Sequence, residues 1–229
     1  MNNLKLYVQY GSGINYIESW INFDSSLTLR IQKIPLLGKL LRSRLNCVFD
    51  DEILFGDIVK GLPVDKESVD GLFCSHILEH LSLDDFYKAL QNSFSYLKPG
   101  GVFRIILPDL ESYIDEYKRS ILSKDLNVKT TAAINFCDGT CLGRKKSRAT
   151  LLARIYEAFE NNRHQWMWDY SGFKKSLTKE GFVNIKRFIP NESEDPMFLL
   201  PERNYQFNNS IAIECRKPFI GRTARQEQG

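Results

Sequence analysis

The chain has 229 residues, and 31 lysines and arginines against 28 acids leave a formal charge of +3. That length suits one domain with an elaboration, and an apolar share of 43% is that of an ordinary globular core. No run of about 18 or more apolar residues occurs, and MNNLKLYVQYGSG has no basic region leading into an apolar one, so neither a membrane-spanning helix nor a signal peptide is expected.

Residues 4–10, LKLYVQY, form a β-rich run that stops at Gly11-Ser12-Gly13. WINFD at 20–24 is a second short strand, ending in an acid. The stretch 27–46 carries five cations and no acid; Pro35 interrupts it, and Leu36, Leu37, Leu40 and Leu41 alternate with Lys39 and Arg42 at near-helical spacing. It reads as a docked helix with a basic face, a lid, or a peripheral membrane contact. ILFGDI at 53–58 is a third strand, with Gly56-Asp57 near its end. VDGLFCS at 69–75 is apolar enough for a strand buried on both faces. Ser82 and Asp85 then make a capping-box-like start, and Phe86, Leu90, Phe94 and Leu97 line one helical face. Lys98-Pro99-Gly100-Gly101 stops that helix ahead of the apolar run VFRIILPD at 102–109.

From 111 to 165 no strand signal occurs, and helices are expected near 111–123 and 149–162. Within this insert, 144-RKKSR-148 could hold a phosphate or an anionic glycan, or simply be solvated. SGFKKSLTKEG at 171–181 is a helix closed by Gly181, followed by strands at 183–188 and 210–216 and a polar, basic tail from Pro218. Strands alternating with helices mean crossover connections and a parallel sheet. The expected fold is therefore a doubly wound, Rossmann-like α/β sheet closed by an antiparallel strand pair. Its expected division is 1–110, a helical insert at 111–165, a return to the same domain at 166–217, and a tail at 218–229.

The stretch 74-CSHILEHL-81 sets His76, Glu79 and His80 in the order H-x-x-E-H, the pattern of an inverted zinc-protease site. Such a site needs both histidines on one helix face and a further ligand. Cys74 and Ser75 instead belong to a buried strand, and the remaining histidine, His164, lies far away in sequence. No metal is expected here, and a metal-dependent hydrolase built on His76, Glu79 and His80 is the lesser alternative. Cys137 and Cys141 in CDGTC are half a zinc site without a second half. The five cysteines (47, 74, 137, 141 and 215) read as reduced thiols in a cytoplasmic protein. Open α/β sheets bind ligands outside the carboxyl ends of their strands, which places His76 at the mouth of a site and His80 in a packing role.

The block from Gly56 to Leu81, followed by LKPGGVFRIILPDL at 97–110, resembles the class I S-adenosylmethionine-dependent methyltransferases. It is most similar to the type 11-like group that reads S-H-x-L-E-H after the fourth strand, W-x-N-x-D in the second, and H-x-W-x-x-D before the final helix, here 164-HQWMWD-169. The resemblance covers 4–110 and 164–216. It implies a seven-stranded sheet, S-adenosylmethionine as cofactor, and methyl transfer to a small-molecule, glycan or lipid-linked acceptor.

The residues themselves fit that chemistry. Gly11 and Gly13, flanking Ser12, allow positive φ and close approach of a ligand. A nicotinamide fingerprint would need a third glycine where Tyr16 stands. Asp24 can accept from ribose hydroxyls, as acids at this strand end do in dinucleotide folds. By the resemblance, Asp57 would accept from the adenine amino group, Ile58 would pack on the adenine face, and Ser75 would border the methionine end. Gln9 stands where the family usually has an acid, so an amide would meet the methionine ammonium. That departure, with the sparse glycines, favours a non-catalytic binding module as the alternative. His76, His164 and Asp109 are the candidate catalytic groups. The N/D-P-P-Y motif of amino-group methyltransferases is absent, which leans the acceptor atom toward oxygen or carbon. No stacking aromatics interleave with the basic residues, so a nucleic-acid partner is not expected.

Overall fold

The computed structural model describes residues 4–36, 38, 40, 47–143, 163–202 and 207–219. Seven strands form one sheet: β1 (Tyr7–Tyr10), β2 (Ile21–Asp24), β3 (Leu54–Phe55), β4 (Val69–Ser75), β5 (Leu97–Pro108), β6 (Val183–Phe188) and β7 (Ser210–Arg216). Their order is β3-β2-β1-β4-β5-β7-β6. The pairs from β3 through β5 are parallel, while β7 runs antiparallel to both β5 and β6. The chain builds outward from β1 to β3, then returns to lay β4 on the other side of β1. The crevice between connections that leave on opposite faces therefore opens at the β1/β4 carboxyl edge.

The described helices are α1 (Leu27–Gln32), α2 (Leu83–Tyr96), α3 (Leu110–Ile121), α4 (Leu126–Gly139) and α5 (Tyr170–Glu180). The Ser82 hydroxyl caps α2 by accepting from Asp85 N at 3.2 Å. The helix buries Phe86, Ala89, Leu90 and Tyr96 against the sheet. Gly181, at φ 102°, ends α5 in the left-handed conformation that glycine adopts without a Cβ penalty. No helix among the described residues is long and apolar enough to cross a membrane.

β4, β6 and β7 occupy the segments expected from their sequence. The ladder of β5 starts earlier than expected. Leu97 pairs with Val69 and Val102 with Gly71, so Lys98–Gly101 form an excursion within the strand instead of a turn before it. Gly100, at φ 83°, makes that excursion possible. The insert holds α3 as expected, but α4 was not anticipated. Its sequence, LNVKTTAAINFCDG, is rich in threonine and asparagine, poor helix formers, and only Ala132 is buried. The clearest local sign is Asp125, whose side chain accepts from Asn127 N and Val128 N. The expected helix at 149–162, the basic run 144–148, residues 37, 39 and 41–46 and the tail beyond 219 lie outside the described residues.

In the middle of β5, Arg104 is fully buried. Its guanidinium makes a two-pronged contact with Glu202, Nε to Oε1 at 2.8 Å and Nη2 to Oε2 at 3.0 Å, and a third with Glu214 Oε1 at 3.1 Å. Asn191 N and Ser193 Oγ donate to the same two acids. Removing the cation alone strands two carboxylates in the interior. Arg104→Leu is expected to lower stability by about 3–5 kcal/mol in urea unfolding.

Candidate functional site

β1 ends in a turn that only glycine makes readily: Gly11 has φ 66° and Gly13 φ 55°. Ser12 N donates to Phe23 O at 3.0 Å, tying the turn to β2. The Asp24 carboxylate, 8% exposed, accepts from Gly13 N at 2.9 Å and from Ser26 N at 2.8 Å. Each oxygen thus keeps capacity for a further donor, such as a ribose hydroxyl.

The two glycines do different work. A Cβ on Gly11 would lie 2.1 Å from Ile77 Cδ1, so this glycine admits a neighbouring side chain. At Gly13 nothing stands within 4 Å of that position, and it is here that the backbone lies open to a ligand.

Gln9 is buried, and its amide nitrogen donates to Asn15 O at 2.7 Å and to Asn22 Oδ1 at 2.5 Å. Asn22 in turn donates to Ile17 O and Trp20 O, so the pair shapes the loop between β1 and β2. An ammonium only donates, and of the Gln9 amide it could meet only Oε1. Asp57 Oδ1 accepts from Val59 N at 3.0 Å, and Oδ2 pairs with exposed Lys60 at 3.0 Å. Ile58 is 5% exposed and belongs to the main core, which leaves its side chain little surface for an adenine ring.

Asp109 differs from its expected role. It is 1% exposed and caps α3, accepting from Glu111 N at 3.1 Å and Ser112 Oγ at 3.1 Å. It also pairs with Arg187 Nη2 at 2.6 Å. Its oxygens are thus engaged in the cap and the ion pair.

His76 follows β4 directly, at φ 54°, and its N–H donates to Ile106 O at 2.9 Å. Its ring stacks on Phe207 with centroids 6.0 Å apart, and its side chain is 39% exposed. Its Nδ1 lies 3.2 Å from Glu79 Oε1, and its Nε2 3.5 Å from Ser210 Oγ. Leu78–His80 form a single 3₁₀ turn, and the helix starts only at Leu83, so H-x-x-E-H does not lie along a helix face.

A histidine from outside this motif reaches two of its members, Glu79 and His80. Segment 163–166 is laced to residues 79 and 80: Gln165 N and Trp166 N donate to Glu79 O, Gln165 Nε2 donates to His80 O, and His80 Nδ1 meets Arg163 O at 3.0 Å. This brings His164 Nε2 to 3.9 Å from Glu79 Oε1 and its ring centroid to 4.9 Å from that of His80. Burial holds the His164 pKa below its usual value, with Glu79 opposing that effect. Glu79, His80 and His164 each offer a ligand atom, all within 4.8 Å of one another. Spacing alone could not show this, because the contact joins two motifs across the insert. The available signal was that the chain's three histidines all fall in those two motifs. The rest of 164-HQWMWD-169 is structural: Trp168 packs on Phe86 at 4.5 Å, and Asp169 caps α5 through Gly172 N at 2.6 Å.

A cleft of about 440 Å³ lined by Lys5, Tyr7, Asp70, Lys98 and Arg216 sits at the amino end of β1 and β4, away from these groups. The two glycines allow a direct comparison. Gly11→Ala and Gly13→Ala share the left-handed strain of about 1–2 kcal/mol, but only the first drives a methyl group into Ile77. Thermal unfolding should show Gly11→Ala to be the more destabilised by a further ~1–3 kcal/mol.

Residues 38–105 match the model of a methyltransferase domain. No curated protein matches the chain. Among solved structures, an S-adenosylmethionine-dependent methyltransferase of Thermotoga maritima aligns at 17% identity and a TM-score of 0.45, over 93% of this chain and 83% of that one. Another, from Archaeoglobus fulgidus, aligns at 14% identity and a TM-score of 0.47, over 94% and 87%. The matched segment contains β3, β4 and α2 and ends within β5, the half of the sheet that faces the β1/β4 crevice. On this strand order, residues 38–105 are thus similar to a methyltransferase domain, a fold whose class I members use S-adenosylmethionine as methyl donor.

Proposed function

We propose that the chain transfers the methyl group to an oxygen of a small molecule, a glycan or a lipid-linked intermediate. The observation that carries this reading is the residue at the β4 mouth. An amino-group methyltransferase presents an amide and a carbonyl there; this chain presents the half-exposed imidazole of His76, backed by Glu79 at 3.2 Å. An acceptor hydroxyl must lose its proton as it attacks, and an imidazole oriented by a carboxylate is suited to take it. Bound S-adenosylmethionine supplies the methyl group. The residues of the chain hold the two reactants in line and move the proton, which passes from the acceptor oxygen to His76 Nε2. Gly13 and Asp24 are the groups assigned to the cofactor's binding, and Ser75 to its methionine end.

The apolar residues after α1 support a lipid-linked acceptor or a peripheral membrane contact. Ile34, Leu36 and Leu40 are 45%, 83% and 75% exposed, beside Arg30 and Lys33 in a stretch without acids. The proposed place of action is the cytoplasm.

Two measurements test these assignments. Asp24→Ala should weaken S-adenosylmethionine binding by about 1.5–3 kcal/mol in a calorimetric titration; unchanged affinity removes Asp24 from the site. Leu36→Asp with Leu40→Asp should leave cofactor affinity intact and reduce turnover of a lipid-linked acceptor or sedimentation with anionic liposomes. Turnover is read as S-adenosylhomocysteine released from a panel of hydroxyl, carboxyl and amine acceptors. Exclusive use of amines would overturn the oxygen assignment, and cofactor binding without turnover on any acceptor would favour the non-catalytic module.

A further inference from the structure

Glu79 is fully buried, and among the described residues no donor completes a hydrogen bond to either of its carboxylate oxygens. His164 Nδ1 is likewise buried with no hydrogen bond completed among the described residues, although the Thr140 backbone lies beside the ring. Buried carboxylates are paired, hydrogen-bonded or bound to a metal, because an uncompensated charge in the interior is costly. The neighbours of this one are three imidazoles: His76 on one side, and His80 and His164 on the other.

We propose that Glu79, His80 and His164 bind a divalent first-row transition ion, with Zn²⁺ the best fit to two imidazoles and a carboxylate. The backbone builds the site from two segments far apart in sequence. His80 is oriented as metal-binding histidines are: its Nδ1 donates to Arg163 O at 3.0 Å, which leaves Nε2 with the lone pair. The hydrogen bonds from Gln165 and Trp166 to Glu79 O and from Gln165 to His80 O hold His164 in register with its two partners. A tetrahedral ion with bonds of about 2.0–2.1 Å sets its ligands about 3.3 Å apart. The three ligand atoms lie within 4.8 Å of one another, close to that spacing. The ligands differ from the H-x-x-E-H set, because His76 sits at the strand mouth while His164 arrives from before α5.

Three protein ligands leave a position open. Resting on the oxygen acceptor proposed above, that position takes the acceptor oxygen and lowers the pKa of its proton, with His76 beside it to receive the proton. The methyl group passes from sulfur to that oxygen; the C–S electron pair stays on sulfur and the acceptor proton leaves on His76.

The test begins with the full chain purified without a metal-affinity step and stripped of metal. Titrated with Zn²⁺ alone, it should take up one ion per chain with micromolar or tighter affinity, while Mg²⁺ binds at least ~100-fold more weakly to these donors. His164→Asn and Glu79→Gln should each weaken Zn²⁺ binding at least ~100-fold. Cys137→Ser with Cys141→Ser should not change it. Co²⁺ bound to the unmutated chain should show a tetrahedral spectrum without a thiolate charge-transfer band, a readout that needs no variant to fold. The inference is overturned if the unmutated chain takes up no Zn²⁺, if a folded His164→Asn binds as tightly, or if the cysteine variant or a thiolate band places the ion on CDGTC. A parallel S-adenosylmethionine titration separates the two claims. Cofactor binding without Zn²⁺ uptake leaves the methyltransferase reading standing alone, and Zn²⁺ uptake without cofactor binding does the reverse.

Discussion

β1 is hydrogen-bonded in parallel to β2 on one side and β4 on the other, and this pairing fixes where every candidate group lies. Tyr10 stands opposite Phe23 and Cys74, so the chain leaves all three strands at one edge within one or two residues. Gly11 to Gly13, Asp24 and His76 are the residues that follow or finish those strands, and the register makes them neighbours. Asp24 closes the arrangement by holding Gly13 N, so the acid that ends β2 also sets the turn after β1. Ile77 adds a contact from the β4 side by filling the space that the missing Gly11 side chain leaves. A slip of one residue between β1 and β4 would remove Ile77 from the space beside Gly11, and one between β1 and β2 would break the Gly13–Asp24 bond.

The chain buries charge in two contrasting ways. Arg104 is surrounded by acids that match its donors, and those acids accept further bonds from Asn191 and Ser193. Such a network is complete, and its role is to fasten β5 to β7 and to the segment around Glu202. Glu79 is just as buried, yet among the described residues no hydrogen bond satisfies its oxygens. Folding alone gives no reason to keep a carboxylate in that state, since an apolar residue of similar volume would pack there without the desolvation cost. A buried acid is retained where its charge has work to do, and here it faces the three histidines of the chain.

Much of the fold was legible from the sequence. The apolar runs of β4 and β5, the short strand runs of β6 and β7, the Ser82 cap and the Gly181 stop are local signals whose physics acts within a few residues. What escaped was of two kinds. α4 has little amphipathic pattern because most of it is exposed, so the burial that normally marks a helix was missing. The meeting of His164 with Glu79 and His80 depends on backbone bonds between segments 83 or more residues apart, beyond any periodicity. Arg104 lay between: a lone cation inside VFRIILPD was visible and demands a buried partner, but nothing in the run says that the partners are Glu202 and Glu214. The glycine turn after β1 and the acid at the end of β2 were legible because strand ends announce themselves. Asp109 misled because an acid after a strand is equally the cap of the next helix.

His76 shows how the edge is used. A non-glycine residue at φ 54° carries left-handed strain of about 1–2 kcal/mol. A glycine there would relieve it. The strain persists because its backbone N–H holds Ile106 O at the end of β5, extending the β4/β5 ladder by one bond before the chain turns. That bond fixes the backbone at the turn, while Phe207 stacks on the ring and Glu79 meets Nδ1. Nε2 is left toward Ser210 on a side chain 39% exposed. A ring held by its backbone, one face and one nitrogen has lost its rotamer freedom before any acceptor arrives. Nε2 faces Ser210 Oγ on the half-exposed side, and the local strain is intelligible as the cost of holding the ring there.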